Sequence, residues 1–169
     1  MSRKRKTPAP LQLTPRAFVC WICSRDYPLL PLHCAALRKV APGDAILYIY
    51  DKTEKDAQAP KCPKGAAVIG SDFQRHGNLN GKACICEMMN LYTTLGGLGV
   101  ETVVKVDADT ILTDLDWVKP GECSGWHCAN AYAFTGCAYA LDMSTIRRMV
   151  DYLAAHDIEP RPGFTLPED

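Results

Sequence analysis

The chain has 169 residues, a length that fits one compact domain with its own core. Its hydrophobic fraction of 47%, charged fraction of 22% and formal net charge of zero are ordinary for a globular protein, and they exclude a strongly basic nucleic-acid-binding domain. It contains no run of about 18 apolar residues, so no membrane-spanning helix is predicted.

The N-terminal segment 1–15 carries four successive basic residues: Arg3, Lys4, Arg5 and Lys6. Their charge predicts a disordered, solvated tail ahead of a single domain at 16–169. Because no apolar stretch follows that would act as a signal peptide, we expect a cytoplasmic protein with reduced cysteines. The alternative for the basic run is peripheral contact with the inner face of an anionic membrane.

The first half of the domain alternates between strand and helix patterns. A continuous apolar run at 17–23 predicts a strand that is buried on both faces. Apolar residues then recur at helical spacing from Leu30 to Val40, and Pro42-Gly43 ends this helix. The run 45–50 predicts a second strand, and the polar segment 52–64 predicts a loop.

Two of the nine cysteines, Cys20 and Cys23, have the C-x-x-C spacing of zinc and redox sites. Side chains three positions apart in a strand point to opposite faces, and the chain lacks a second pair with zinc-knuckle spacing. We therefore interpret both as buried, free thiols, with zinc or redox chemistry as the alternative.

The second half continues the alternation. A short strand is predicted at 66–69, and a loop rich in glycine and asparagine at 77–81 leads into a helix that stops at Gly96-Gly97. The β-branched run 102–106 predicts a further strand, and 144–155 has the pattern of an amphipathic helix. This order is typical of an α/β fold with a mainly parallel sheet flanked by helices.

Aspartates follow the predicted strands. Asp26, Asp51, Asp72 and Asp107 each lie just beyond a strand's carboxyl end. Open α/β sheets bind their ligands at this edge, so we expect the functional site there.

The pair Asp107 and Asp109 follows the most strand-like segment of the chain. Two carboxylates one residue apart at a breaking strand are able to turn toward one point. Hard oxygen ligands suit Mg²⁺ or Mn²⁺, which in turn bridge the phosphates of a substrate. The structural alternative is a solvated turn that happens to carry two acids.

Val106-Asp107-Ala108-Asp109-Thr110 resembles the D-x-D element of GT-A-fold glycosyltransferases. The segment 134–142 is similar to the glycine-then-tyrosine segment of fringe-like and β-1,3-galactosyltransferase-like enzymes. Pro167-Glu168-Asp169 resembles their Pro-Glu-Asp element. The three elements occur in the family's order, and the resemblance runs from about Phe18 to the last residue. It implies a GT-A, Rossmann-like fold.

The resemblance also implies a reaction and a set of site residues. The activity would be transfer of a sugar from a nucleoside-diphosphate sugar, with a UDP-sugar favoured, to a glycan or lipid-linked acceptor, without nucleic acid. Donor-binding residues would be Arg25, Asp26, Asp51, Asn80, Gly81, Lys82 and Asp107. Asp107 and Asp109 would hold Mn²⁺ or Mg²⁺. Glu168 and Asp169 would be catalytic, with Asp169 as the base of an inverting reaction. Acceptor contacts would come from Trp126, Gly136 and Tyr139.

Some of these assignments have structural alternatives. Asp26, Asp51 and Lys82 are equally explained as helix caps or surface charges. Enzymes of the family continue past the acidic pair and often add a metal-binding histidine, so we expect a C-terminally truncated domain. His127 and His156 are the nearest substitutes for that histidine.

Two other functions remain open. One is a non-catalytic domain that binds a nucleotide sugar or a protein partner. The other is a sugar-nucleotide nucleotidyltransferase, although the first strand-to-helix turn, 23–28, lacks the glycine of a phosphate loop.

Overall fold

The computed structural model describes residues 13–53, 58–72, 81–127 and 134–156. These residues form six strands and three α-helices. The strands are β1 (Arg16–Ile22), β2 (Ala45–Asp51), β3 (Ala67–Ser71), β4 (Thr102–Val106), β5 (Ser124–His127) and β6 (Phe134–Asp142). The helices are α1 (Leu30–Val40), α2 (Gly81–Gly97) and α3 (Met143–Ala155). A short 3-10 helix at Ser24–Leu29 precedes α1.

All six strands belong to one sheet, in the order β3-β2-β1-β4-β6-β5. The first four are parallel to one another, whereas β6 runs antiparallel to β4 and β5 runs antiparallel to β6. The predicted α/β class is confirmed, and the sheet is mostly parallel. Its two antiparallel pairings, β4 with β6 and β6 with β5, were not predicted.

The sheet has a core on each face, because its central strands are apolar on both sides. On one face, which we call the α1 face, Phe18 and Cys20 of β1 pack with Leu30, Cys34 and Leu37 of α1. The opposite face is covered by α2 and α3, and we call it the α2/α3 face.

On the α2/α3 face, Val19 and Trp21 of β1 pack against Tyr92 of α2 and Ile146 of α3. The indole Nε1 of Trp21 donates to the hydroxyl of Tyr92 at 3.1 Å, so these two buried polar groups satisfy each other. Burial of successive residues on alternate faces explains why β1 has no polar positions from Ala17 onward.

The predicted elements are found within a few residues of their expected ends. Residues 52–53 and 58–64 lie outside helices and strands, as predicted for this loop. Cys20 and Cys23 are both buried, as predicted, and neither forms a disulfide. The 3-10 helix was not predicted; Asp26 stabilises it by accepting a hydrogen bond from the backbone N–H of Cys23 at 2.8 Å.

Candidate functional site

The carboxyl ends of β1, β2, β3 and β4 lie at one edge of the sheet, because these four strands are parallel. Asp26 follows β1, Asp51 is the last residue of β2, Asp72 follows β3 and Asp107 follows β4. The predicted gathering of acids at one edge is therefore confirmed.

Asp107 is held by an ion pair with a buried lysine. The Lys105 side chain is fully buried, and its Nζ lies 3.0 Å from Oδ1 of Asp107. The contact lacks hydrogen-bond geometry, since this oxygen is buried without a hydrogen-bond partner in the described part of the chain. The Asp107 side chain as a whole is 23% exposed, so its accessible surface lies on other atoms.

Lys105 also contacts an aromatic ring of the neighbouring strand. Its Nζ lies 5.6 Å from the ring centroid of Tyr139, which is partly buried against the α2/α3 face. Tyr139, which we predicted to contact an acceptor, therefore packs against the buried ammonium of Lys105. A cation–π interaction between them stabilises the lysine charge.

The chain turns sharply between the two predicted metal ligands. The backbone N–H of Asp107 donates to the carbonyl of Cys137 at 2.9 Å, continuing the β4–β6 ladder, and Thr110 N–H donates to the carbonyl of Asp107 at 3.0 Å. Ala108 is buried in the core of the α1 face, whereas Asp109 is exposed. The two carboxylates therefore differ: one is fixed by Lys105 and one faces solvent.

The two carboxylates are compatible with a cation of the Mg²⁺ type, which uses one or two protein carboxylates and takes its other ligands from phosphate and water. Two carboxylates alone do not supply a complete set of protein ligands for a metal ion. In the described ranges, no group of three histidine, cysteine or acidic side chains is arranged to hold a metal.

Asp51 and Asp26 have local hydrogen-bonding roles. Oδ1 of buried Asp51 accepts from the backbone N–H of Thr53 at 2.8 Å and from its hydroxyl at 2.6 Å, which fixes the turn after β2. Oδ2 of Asp26 accepts from the Cys23 thiol at 3.1 Å in addition to the backbone contact. Burial, followed by the Asp26 contact, raises the pKa of Cys23.

The remaining charges of this edge are more exposed. Arg25 is largely exposed, with Nε 3.7 Å from Oδ1 of Asp26. Asp72 pairs with Lys52 at 3.0 Å on the surface. Screening by solvent makes both contacts weak, so Arg25 is available to an anionic ligand.

His33, in the first turn of α1, was not predicted from the sequence. It is 2% exposed, and its Nδ1 lies 3.0 Å from the hydroxyl of Tyr48 on β2. Its Nε2 is buried and has no hydrogen-bond partner within the described residues. Burial lowers the pKa of His33 to about 4, although the charges of Asp107 and Asp109 act in the opposite direction.

A depression of about 310 Å³ lies beside the turn that carries the two acids. Its walls come from the segment after Asp109 and from the middle of β6. They include Thr110, Leu112, Trp117 and Cys137. The depression is mainly apolar and has room for a small ring-shaped group.

Several predicted residues fall outside what the structure describes. Asn80, Glu168, Asp169 and the basic residues 3–6 are not in the described ranges. Gly81 and Lys82 open α2, Trp126 and His127 lie in β5 and Gly136 lies in β6, but their side chains are not described. His156 directly follows α3 and stacks on Tyr152 with ring centroids 4.0 Å apart.

No protein-family model matches this sequence, and no curated protein sequence is significantly similar to it. Within the described residues, no helix is both long enough and apolar enough to cross a bilayer.

Proposed function

We propose that this chain is a GT-A-like domain that binds a nucleoside-diphosphate sugar with a divalent cation and transfers the sugar to a hydroxyl. The observation that carries the proposal is the position of Asp107 and Asp109, which immediately follow β4 at the carboxyl edge of four parallel strands. Ligands of α/β sheets bind at this edge.

The charges of this turn fit a cation and a diphosphate together. Asp107 and Asp109 carry two negative charges, and Lys105 compensates one of them at 3.0 Å. The remaining negative charge is too small to repel a diphosphate that arrives with a divalent cation, but it disfavours a diphosphate that arrives alone. Binding should therefore depend on the metal.

The two acids would have different tasks. Asp109 is exposed and would be the principal metal ligand, whereas Asp107 is held in place by Lys105 and would align the turn and the sugar or ribose of the donor. The bound cation would act as a Lewis acid toward the departing diphosphate. Arg25, exposed at the same edge, would add a positive charge near the phosphates.

Binding of the nucleoside and of the acceptor is proposed from the resemblance. Asp51 ends β2 at the correct edge, and its fixed turn would present backbone groups to the nucleoside. Asp169 remains the proposed base, which would take the proton of the acceptor hydroxyl during direct attack on the anomeric carbon. The Asp107-Ala108-Asp109 and Pro167-Glu168-Asp169 elements support this assignment, and the mostly parallel sheet is compatible with it.

The test is turnover of sugar nucleotides by the purified chain. UDP-glucose, UDP-galactose and UDP-N-acetylglucosamine are incubated with Mn²⁺, and released UDP is measured. We expect release from at least one donor, and its loss in Asp109→Asn. Binding of UDP without release from any donor would instead support a non-catalytic nucleotide-sugar-binding domain.

A further inference from the structure

The depression beside the Asp107–Asp109 turn is walled mainly by apolar side chains, and we call it the Trp117 depression. Trp117 is partly buried against the core of the α1 face, and Leu112 is buried in that core. Ile111 lines the depression too and is 61% exposed. It is therefore not an isolated surface residue, because it extends an apolar surface that Leu112 and Trp117 begin. Continuous apolar surface in a concave site is typical of ligand binding.

The chemistry of the walls disfavours a charged ligand and a sugar ring. Among the described residues that line the depression, Asp114 is the only charged one. Its Oδ1 accepts from the backbone N–H of Asp116 and its Oδ2 from the hydroxyl of Thr113, both at 3.2 Å. A phosphate would meet no positive charge here, and a buried sugar ring would place several hydroxyl groups against walls with few polar partners. An uncharged apolar ring fits these walls best.

Hydrogen bonds of the backbone hold the walls in place without a ligand. Thr110 N–H donates to the carbonyl of Asp107 at 3.0 Å, and Asp107 N–H donates to the carbonyl of Cys137 at 2.9 Å. Binding does not have to order these segments, so it loses little conformational entropy. The volume of about 310 Å³ lies at the lower end of the range for small-molecule sites, which limits the occupant to about one ring.

The sheet topology separates the depression from the expected nucleotide crevice. The chain passes from β1 to β2 on one side of β1, whereas β4 lies on its other side, so the strand order reverses between β1 and β4. Nucleotides bind in the crevice at such a reversal. The depression is lined by β6, which lies on the side of β4 away from β1. An occupant of the depression would therefore not compete with a nucleotide in the crevice.

We propose that the Trp117 depression binds a single apolar ring and that this ring belongs to the acceptor. The binding of the ring rests on the residues that line the depression, none of which was predicted as a site residue from the sequence. The role of the ring as part of the acceptor rests on the proposed function. It makes the acceptor a hydroxyl compound that carries an aryl group, rather than an unsubstituted glycan.

The first measurement is the binding of phenyl β-D-glucopyranoside to the wild-type chain, in EDTA and without nucleotide, by saturation-transfer difference NMR. Methyl β-D-glucopyranoside is the matched probe, since it has the same sugar without the ring. We expect the phenyl glucoside to bind at least about tenfold more tightly, because its ring removes apolar surface from water against Trp117 and Ile111. The ring protons should receive more saturation than the sugar protons.

Two exposed apolar residues supply a matched pair of variants. Ile111→Asp places a charge in the wall and should weaken binding of the phenyl glucoside by at least about tenfold. Leu98→Asp is the control, because Leu98 is 63% exposed but lies outside the depression, directly after α2. Both variants replace exposed side chains and should fold normally, which circular dichroism checks. Trp117→Leu, which removes the aromatic wall, should also weaken binding.

The second measurement connects the depression to transfer. UDP release from the sugar nucleotides is measured in Mn²⁺ with each glucoside as the acceptor. We expect the KM of the phenyl glucoside to be at least about tenfold lower than that of the methyl glucoside, and Ile111→Asp to remove most of this difference.

Equal binding of the two glucosides by the wild type would overturn the inference, and so would stronger saturation of the sugar protons than of the ring protons. Equal affinity for the phenyl glucoside in wild type and Ile111→Asp, or equal weakening in Ile111→Asp and Leu98→Asp, would also overturn it. If the ring binds as expected but no donor releases UDP, the apolar site stands, and its role in an acceptor fails together with the transferase activity. If UDP is released but the phenyl group brings no advantage, only the inference fails.

Discussion

Replacing Asp107 should destabilise the protein far more than replacing Asp109, although the two acids belong to one short motif. Asp107→Asn removes the charge beside the Lys105 ammonium, whose side chain has no exposed surface. Asp109→Asn changes an exposed carboxylate. The motif therefore contains one structural counter-ion and one surface acid.

The size of the effect follows from the geometry of the pair. At 3.0 Å and an effective dielectric constant of about 20, the attraction is about 5 kcal/mol. Breaking a buried pair by removing one partner costs about 3 to 5 kcal/mol. Because Asp107 is 23% exposed, water compensates part of the loss, and we expect about 3 kcal/mol for Asp107→Asn. Asp109→Asn should stay within about 0.5 kcal/mol of wild type.

Urea unfolding at pH 7 in the presence of EDTA measures both effects without contributions from bound metal. Lys105→Met/Asp107→Asn is the matched control, since an apolar side chain of similar length removes the stranded charge and should recover at least half of the loss. Equal stability losses in Asp107→Asn and Asp109→Asn would refute the assignment of Asp107 as a structural counter-ion.

Three further predictions concern packing, cysteines and pH. Gly96→Ala should lose most or all of the roughly 1 kcal/mol that alanine gains over glycine in a helix, because its β-carbon would lie 2.5 Å from the sulfur of Met143 and this side chain must shift. Gly97→Ala, where nothing lies within 4 Å, should be neutral or stabilising, and equal effects in the two variants would contradict the packing. Replacing Cys20 and Cys23 together by alanine should lower stability by about 1 to 3 kcal/mol and leave UDP binding intact; stoichiometric zinc that the double variant loses would argue otherwise. The pKa of His33 is about 4 in the folded protein, below its ordinary value of 6.5, which applies in the unfolded chain. As the pH drops through this range, the unfolded chain binds a proton first, and the free energy of unfolding should fall by up to about 3 kcal/mol. Urea unfolding of wild type and His33→Leu from pH 7 to pH 4 checks this, since the fall should be shallower in the variant.

The parallel part of the fold was predictable because its signals are local. The apolar runs of β1, β2 and β4 and the helical spacing of α1 are each contained in a short segment. The antiparallel part was not predicted. In β6 the small residues Gly136, Ala138 and Ala140 stand where strands usually carry β-branched or aromatic side chains, and its pairing with β4 joins residues far apart in the sequence.

The position of the acids at one edge of the sheet was also predictable. Each acid lies at or just beyond the end of a strand, and the carboxyl ends of parallel strands lie at the same edge. The burial of Lys105 could have been predicted from the sequence but was not. A charged residue inside the apolar run Val104-Lys105-Val106 must be buried and therefore paired with an opposite charge. The burial of His33 could not be predicted in the same way, since its partner Tyr48 lies on another element, 15 positions away in the sequence. Spacing in the sequence cannot reveal such contacts.

The most direct test of the central claim is a calorimetric titration of the wild-type chain with UDP, first with Mn²⁺ and then with EDTA. The proposed site predicts binding only when the metal is present, because a diphosphate alone would meet the negative charge of the Asp107–Asp109 turn. Asp109→Asn, which should fold normally, should weaken metal-dependent binding by at least about tenfold. Equal affinity with Mn²⁺ and with EDTA, or unchanged metal-dependent affinity in Asp109→Asn, would contradict the claim that these carboxylates form a metal-dependent nucleotide site.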